Sequence, residues 1–293
     1  MSDSVARLRH KITSAEDLES VVRTMKAMAA SSIGQYENAV RSLDDYYRTI
    51  QLGLAACFHQ DKSLDVMTSM HRRETAAIGA IVFGSDQGLV GQFNEVMAEY
   101  VIDTLAKLPG NKTLWVVGER IQSRLAETSF SPEQGFILPT SINAITPLVG
   151  RILIELETQR EQGGIDQVYL FHNQPQTGAL YSPVSQQLLP LDETWQRDLA
   201  AMHWPTKNLP EVMHDRERTL RALVREYLFV SLFRTCAESL ASENASRLAA
   251  MRRAEKNIDE LQEDLKRTFH RLRQNNIDEE LFDVISGFEA LSQ

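Results

Sequence analysis

The sequence predicts an α/β fold in which two long terminal helices pair as an antiparallel coiled coil around a small domain built on a mostly parallel sheet. All nine prolines lie between Pro109 and Pro210, so the flanking segments lack the residue that most strongly interrupts helices. Both flanking segments also carry apolar residues at alternating spacings of three and four. Between them, strand and helix patterns alternate, which is typical of a sheet covered by helices.

The N-terminal segment, residues 1–69, is predicted to form the first long helix. Its apolar and small residues repeat with the 3.5-residue period of a coiled-coil seam. Small residues in such a seam allow a partner helix to approach closely. The predicted seam residues are Ala15, Leu18, Val22, Met25, Ala29, Ser32, Tyr36, Ala39, Leu43, Tyr46 and Ile50.

The C-terminal segment, residues 211–293, is predicted to form the second long helix. Neither Pro nor Gly occurs from Glu211 through Ser286, which permits a helix of roughly 110 Å at 1.5 Å per residue. An ordinary helical bundle is the alternative, but this length favours a coiled coil. The pairing should be antiparallel because the chain leaves and returns through the middle domain. The predicted seam residues are Met251, Ala254, Ile258, Leu261, Leu265, Thr268 and Leu272.

The middle segment, residues 70–210, is predicted to be a small Rossmann-like domain. Its strand and helix patterns alternate as in a mostly parallel sheet, and residues 203–211 are interpreted as the linker that returns to the second helix. Strands are predicted within residues 76–84, 113–118, 136–140, 166–173 and 181–191. Helices are predicted within residues 92–107, 120–127 and 145–162.

Composition excludes several classes of protein. The formal net charge of -9 argues against a general nucleic-acid binder, because phosphate binding usually requires a basic surplus. The two cysteines, Cys57 and Cys236, form neither a CxxC pair nor a disulfide framework. No apolar run is long enough for a membrane span, and the first residues do not resemble a secretory signal.

The turn at residues 84–94 is the one candidate for a phosphate-binding loop. It follows a predicted strand and precedes a predicted helix, but it lacks the Lys-Ser/Thr pair of a P-loop and the GxGxxG spacing. The favoured interpretation is structural: Asp86 accepts hydrogen bonds from free amides, while Gly88 and Gly91 allow unusual dihedrals or close packing. No catalytic residue, cofactor or metal site is predicted, since none of the seven histidines belongs to a metal-binding motif.

Separate segments of the chain resemble the gamma subunit of F-type ATP synthases, the central rotor stalk. The C-terminal helix carries the longest of them, and the resemblance runs in the expected order over essentially the whole chain. The matching segments are residues 24–31 (TMKAMAAS), 85–91 (SDQGLVG), 241–251 (ASENASRLAAM), Asn257, Arg273-Gln274 and 285–291 (ISGFEAL).

This resemblance implies a rotary shaft and its partners. The coiled coil would stand inside a hexamer of alpha and beta catalytic subunits, and the α/β domain would sit on the membrane c-ring beside the epsilon subunit. One copy per complex is expected, held peripherally at the cytoplasmic face of a bacterial inner membrane. The implied contacts to the catalytic hexamer are Met25, Lys26, Arg247, Arg273, Gln274, Asp278 and Ile285.

Five residues depart from the family pattern and leave alternatives open. Ser20, Ser32, Gln87, Gln92 and Asp278 stand where the family has other residues, several of them basic or hydroxyl-bearing. Such a set is consistent with a specialised paralogue, such as the rotor of a sodium-linked ATPase. Two other hypotheses are a coiled-coil tether or scaffold with an unrelated α/β head, and an α/β enzyme with helical extensions.

Overall fold

The computed structural model describes most of the 293-residue chain. The described residues are 2–59, 77–176, 179–190, 197, 199, 201–202, 204–208, 211–212 and 215–291. The chain divides into two compact units, one made of Met1–Ala30 and Arg247–Gln293 and the other of Ser31–Ser246. The predicted boundary near residue 70 lies outside the described residues, as does part of the predicted linker, so the division at residues 69 and 210 stays a prediction.

Two long helices open and close the chain, as predicted. Helix α1 spans Ser2–His59 and helix α5 spans Arg216–Leu291, which are 58 and 76 residues long. The absence of proline from both stretches explains why neither is interrupted. Within the part of the chain that the structure describes, no helix combines the length and the apolar character needed to cross a bilayer.

A five-stranded sheet forms the centre of the unit Ser31–Ser246. Its strands are β1 (Ile78–Phe83), β2 (Lys112–Val117), β3 (Gln134–Phe136), β4 (Gln167–Gln176) and β5 (Ala179–Leu189). The strand order is β3-β2-β1-β4-β5, and every neighbouring pair is parallel except β4 with β5. The expected mostly parallel sheet is therefore confirmed, and its one antiparallel strand lies at an edge.

Helices cover both faces of this sheet. They are α2 (Phe93–Lys107), α3 (Glu119–Ala126) and α4 (Ile145–Glu161), the last preceded by a short 3-10 turn at Ile142–Ala144. All six residues of β1 are buried, because alternate side chains enter two separate cores. Helices α2 and α3 contribute to one core, whereas α4 shares the other with parts of α1 and α5.

The unit Met1–Ala30 with Arg247–Gln293 contains a seam between α1 and α5. Ala15, Val22 and Ala29 recur every seven residues and are buried, as is Met251 on α5. These four predicted seam positions are confirmed. The seven-residue recurrence of buried residues is the spacing of one position of a heptad.

Two predicted seam positions, one on each helix, are displaced by one residue. The others in this unit are half-buried: Met25, Ala254, Ile258, Leu265, Thr268 and Leu272. Leu18 and Leu261, which were predicted to lie in the seam, are 56% and 50% exposed, whereas the neighbouring Gln262 is only 7% exposed. The prediction was wrong at these positions because it assumed that apolar residues always take the inner face. Here Glu19 is hydrogen-bonded to Gln262, so polar partners take the inner position.

The same displacement appears where α1 and α5 belong to the unit Ser31–Ser246. Tyr36 and Ile50 are buried, as expected of seam residues. Tyr46, predicted to lie in the seam, is 45% exposed, and its hydroxyl donates to Glu226 at 2.8 Å. Its neighbour Tyr47 packs against Tyr227, with the ring centroids 5.9 Å apart.

Candidate functional site

The strand order defines a crevice at the carboxyl ends of β1 and β4. Strands β2 and β3 follow β1 in sequence and lie next to one edge of it. The chain then crosses back, and β4 pairs with the opposite edge of β1. In open α/β sheets, ligands bind where the connections diverge in this way. The turn after β1, predicted as the candidate phosphate loop, lies at this point.

A closed network of hydrogen bonds holds the start of the turn. Ser85 is fully buried and its amide donates to Asn94 Oδ1 at 3.0 Å. Asn94 Nδ2 in turn donates to Ser85 Oγ at 2.8 Å, and that hydroxyl donates to the carbonyl of Gln87 at 3.0 Å. These donors are thus used within the protein, whereas a phosphate cradle would need free N–H groups.

Asp86 connects the turn to two further segments of the sheet edge. Its Oδ1 accepts from the amide of Glu119, the first residue of α3, at 2.8 Å, and its Oδ2 accepts from the amide of Leu138 at 3.1 Å. The N-terminus of a helix attracts anions through its free amides and its dipole. The chain places its own carboxylate there, in the role that the sequence predicted for Asp86.

The glycines of the turn have different structural roles. Gly91 adopts a φ of 60°, in the left-handed region that favours glycine, and Leu89 adopts a φ of 62°. Gly84 allows close packing, since a Cβ there would lie 2.4 Å from Ile121 Cβ. Gly88, which was predicted to be structural, has only the Arg120 guanidinium within reach of a Cβ, at 3.8 Å, so neither crowding nor dihedral requires glycine there.

Helix α5 is bonded to the turn. Ser246 Oγ donates to the carbonyl of Val90 at 2.5 Å. A separate bond joins β4 to α2, in which Asn173 donates through Nδ2 to the carbonyl of Phe93 at 3.1 Å. A stripe of buried polar residues lies along α5 up to the Ser246 contact. They are Ser231, Thr235, Glu238, Ser239, Ser242, Glu243 and Ser246.

A charged cluster joins α5 to β4 two helical turns earlier. Glu238 Oε2 accepts from His172 Nε2 at 3.0 Å and from Gln174 Nε2 at 3.1 Å, while Oε1 accepts from Arg234 Nε at 2.8 Å. Burial opposes the charge on Glu238, but the hydrogen bonds from His172 and Arg234 outweigh it and hold the pKa of this carboxyl below its usual value. Glu238 is therefore ionised at neutral pH, and Nε2 of His172 carries the proton.

A cavity of about 330 Å³ lies beside this cluster, and its lining includes Tyr47, Ser185 and Thr235. The carboxylate and guanidinium that line it, from Glu238 and Arg234, are bonded to each other. No group of three or more His, Cys, Asp or Glu side chains in the described residues could hold a metal ion. The geometry is that of a polar contact between α5 and β4 rather than that of a reaction centre.

The predicted contacts to a catalytic hexamer fall into two groups. Arg273, Gln274 and Asp278 on α5 are exposed, and Ile285 is 46% exposed. Met25, Lys26 and Arg247 are half-buried, and Lys26 forms an ion pair with Glu255. The first group is the more exposed of the two.

The sequence interpretation missed the residues that hold the turn and that bond α5 to the sheet domain. Asn94 and Ser246 lie within residues 84–94 and 241–251 but were given no role of their own, and Asn173 and Glu238 lie outside every motif. A usable signal was present: polar residues recur every three or four positions from Ser231 to Ser246 in a segment with few charges, which indicates a buried polar helix face.

Comparisons with known proteins agree with this architecture. A family model described as "ATP synthase" matches residues 4–291. The ATP synthase gamma chain of Polynucleobacter asymbioticus is 26% identical over 98% of this chain and 99% of its own length. That of Brevibacillus brevis is 24% identical over 99% of each chain.

A solved structure shows the same fold. One chain of the cryo-EM structure of the Euglena gracilis mitochondrial ATP synthase (OSCP/F1/c-ring, rotational state 3) superposes with a TM-score of 0.70 and 15% identity, covering 99% of this chain and 95% of that one. Since the family model spans nearly all of the sequence, the chain belongs to the gamma-chain family of ATP synthases, the rotor subunits of these enzymes.

Proposed function

We propose that the chain is the non-catalytic central shaft of an F-type ATP synthase, which transmits torque between an ion-driven membrane rotor ring and a catalytic hexamer. The observation that supports this most is the pairing of α1 with α5 in opposite directions, through bonds such as that between Glu19 and Gln262. A shaft has to resist twisting, and two uninterrupted helices packed together do so better than one.

The proposed partners follow from family membership. They are the alpha and beta subunits of the hexamer, the epsilon subunit and the membrane c-ring, with one copy of this chain in each complex. The Euglena relative was solved in an assembly named for OSCP, F1 and the c-ring. We place the complex peripherally on the cytoplasmic face of a bacterial membrane, with the coupling ion, proton or sodium, left open.

The proposed hexamer contacts include the exposed residues near the end of α5. Arg273, Gln274, Asp278 and Ile285 present charged, polar and apolar groups to a surrounding partner. Such an asymmetric surface would make each catalytic site meet different groups at each angle of rotation, which is how a shaft can change nucleotide affinity. Met25 and Arg247 are half-buried and complete the proposed set.

The absence of catalysis by this chain is testable with ATP. The turn at residues 84–94 uses its Ser85 amide internally, and Asp86 occupies the N-terminus of α3. We therefore expect equilibrium dialysis of the purified chain to show no ATP binding at micromolar concentrations. Micromolar binding that is lost in Asp86→Ala would contradict the proposal.

A coiled-coil scaffold with an unrelated head is the alternative function. It predicts that the chain self-associates and needs no ring. Affinity purification from the native host, followed by native mass spectrometry, separates the two. The shaft hypothesis expects one copy of the chain with a hexamer of three alpha and three beta subunits, whereas the scaffold hypothesis expects the chain without them.

A further inference from the structure

Two polar pairs cross the seam between α1 and α5 in the unit Met1–Ala30 with Arg247–Gln293. Lys26 Nζ donates to both carboxylate oxygens of Glu255, at 2.7 and 2.6 Å. Gln262 Nε2 donates to Glu19 Oε2 at 2.9 Å. The side chains of Lys26 and Glu255 are 31% and 23% exposed, so this pair is half-buried, and Gln262 is buried at 7% exposed.

The two pairs share one antiparallel register. Glu19 and Lys26 are one heptad apart on α1, and Glu255 and Gln262 are one heptad apart on α5. Apolar residues recur with the same heptad spacing beside the polar pairs. They are Ala15, Val22 and Ala29 on α1 and Met251, Ile258 and Leu265 on α5. Polar and apolar layers thus alternate along this part of the seam.

The polar layers oppose any other alignment of the helices. A shift of α5 by one heptad in one direction brings Glu19 level with Glu255, so two carboxylates would meet away from bulk water. A shift in the other direction brings Glu19 level with Phe269 and removes its bond to Gln262, which leaves Arg23 on the same helix as its partner. In coiled coils, single buried polar residues select register in this way at some cost in stability.

We propose that Glu19–Gln262 and Lys26–Glu255 are register-setting layers of the paired helices, and that Lys26 acts within the pair rather than as a contact to the catalytic hexamer. The claim that Lys26 does not contact the hexamer rests on the proposed function, whereas the claim that the two pairs set the register does not. Lys26 is then a positioning residue that keeps the surface of the helix pair in a defined alignment.

A charge-swap cycle tests the Lys26–Glu255 layer. Lys26→Glu should lower the melting temperature of the full chain by at least about 3 °C, because two carboxylates would then face each other. The double variant Lys26→Glu/Glu255→Lys should restore most of this loss. The control is the exposed pair Lys256–Glu260 on α5, which is 3.7 Å apart with side chains 78% and 65% exposed. Lys256→Glu should shift the melting temperature by less than about 1 °C.

The assembled complex distinguishes the two roles of Lys26. We expect the ratio of ion pumping to ATP hydrolysis to fall at least twofold in Lys26→Glu and to recover in the swapped double variant. Recovery of the melting temperature without recovery of this ratio would assign Lys26 to the hexamer interface and contradict its proposed role within the helix pair. An unchanged melting temperature in the single variant would contradict the register-setting role of the pair. Neither result bears on whether the chain is a rotor.

Disulfide cross-linking between cysteines introduced on α1 and α5 measures the register of the two helices directly. Under mild oxidation, Val22→Cys with Ile258→Cys, which lie within one residue of the register set by the two polar pairs, should cross-link at least fivefold faster than Val22→Cys with Leu265→Cys, which lie six residues out of it. Adding Lys26→Glu should reduce this preference, and adding the swap should restore it. Single-cysteine variants control for the buried Cys57 and Cys236. A preference that is the same in all three backgrounds would show that these layers do not set the register.

Discussion

At the scale of single residues, Asp86 explains why a glycine-rich turn at a strand end need not bind phosphate. Its two oxygens accept from the amides of Glu119 and Leu138. One carboxylate thereby caps α3 and ties together two connections at the carboxyl edge of the sheet. The same free amides would otherwise be available to an anionic ligand.

Replacing Asp86 should cost stability rather than activity. Asp86→Ala leaves the amides of Glu119 and Leu138 without their acceptor, so we expect the free energy of unfolding to fall by about 1–2 kcal/mol. Urea denaturation followed by circular dichroism measures this change. Asp103→Ala, at an exposed position within α2, is the control and should change it by less than about 0.5 kcal/mol. Equal effects of the two substitutions would contradict the capping role.

The lowered pKa of Glu238 predicts that the free energy of unfolding depends on pH. Its pKa is lowered in the folded chain because the hydrogen bonds from His172 and Arg234 outweigh burial. A lowered folded pKa contributes stability that is fully present above the unfolded value of about 4.3 and is lost as the pH falls through the folded value. The contribution should therefore be complete at neutral pH.

The expected measurement compares Glu238→Gln with the original chain. At pH 7 the substitution should lower the free energy of unfolding by about 1–3 kcal/mol, and this difference should shrink once the pH falls below about 4.3. Glu263→Gln, at an exposed position of α5, should show a small difference at every pH. A difference for Glu238→Gln that stays constant from pH 7 to pH 3 would argue against an ionised carboxylate at the contact between α5 and β4.

At the scale of elements, the seam of α1 and α5 depends on alternation of buried and exposed positions along each helix. Ala29 is 1% exposed, whereas Ala30, the next residue, is exposed. The two alanines have the same chemistry and differ in the face of α1 that they occupy. They therefore offer a matched comparison of inner and outer positions.

Ala29→Trp should disturb the helix pair, and Ala30→Trp should not. A large side chain in a close-packed seam costs about 1–3 kcal/mol, so the melting temperature of the chain should fall only for Ala29→Trp. In the assembled complex, the same variant should uncouple ion pumping from ATP hydrolysis. Unchanged melting and coupling in Ala29→Trp would argue against close packing at this level of the seam.

At the scale of the whole molecule, the chain combines two kinds of surface. In the unit Ser31–Ser246, Ser85, Asp86 and Ser246 at the sheet edge are hydrogen-bonded to the protein itself. On α5 within the other unit, Arg273 and Gln274 of the proposed contact set are exposed. We therefore expect function to depend on partners that meet the outer face of α5, and not on a ligand at the sheet edge.

Arg273 tests this expectation in the complete complex. Arg273→Glu should reduce the ATPase activity of the assembled complex by about tenfold, since truncating or reversing a charge at an interface costs about 1.4 kcal/mol or more. The melting temperature of the isolated chain should not change. Arg271→Glu is the neighbouring control. If Arg273→Glu leaves the assembled enzyme fully active, the proposed contact is wrong.

The sequence by itself determined the elements and their order. Proline confined to residues 109–210 predicted two uninterrupted helices, and alternating apolar runs predicted a mostly parallel sheet between them. These features are local, because helix breakers and hydrophobic periodicity act within a few residues of chain. The motifs around Asp86 and residues 241–251 also predicted the family.

Only the tertiary structure decided which side chains face inward. Leu18 and Leu261 have the apolar character of seam residues, yet the inner face belongs to Glu19 and Gln262, because each satisfies the other across the seam. In the same way, Ser246 is buried because the carbonyl of Val90 lies opposite it. Burial of a polar residue costs free energy unless a partner is in place. In both of these cases the partner is distant in sequence, so no local pattern reveals it.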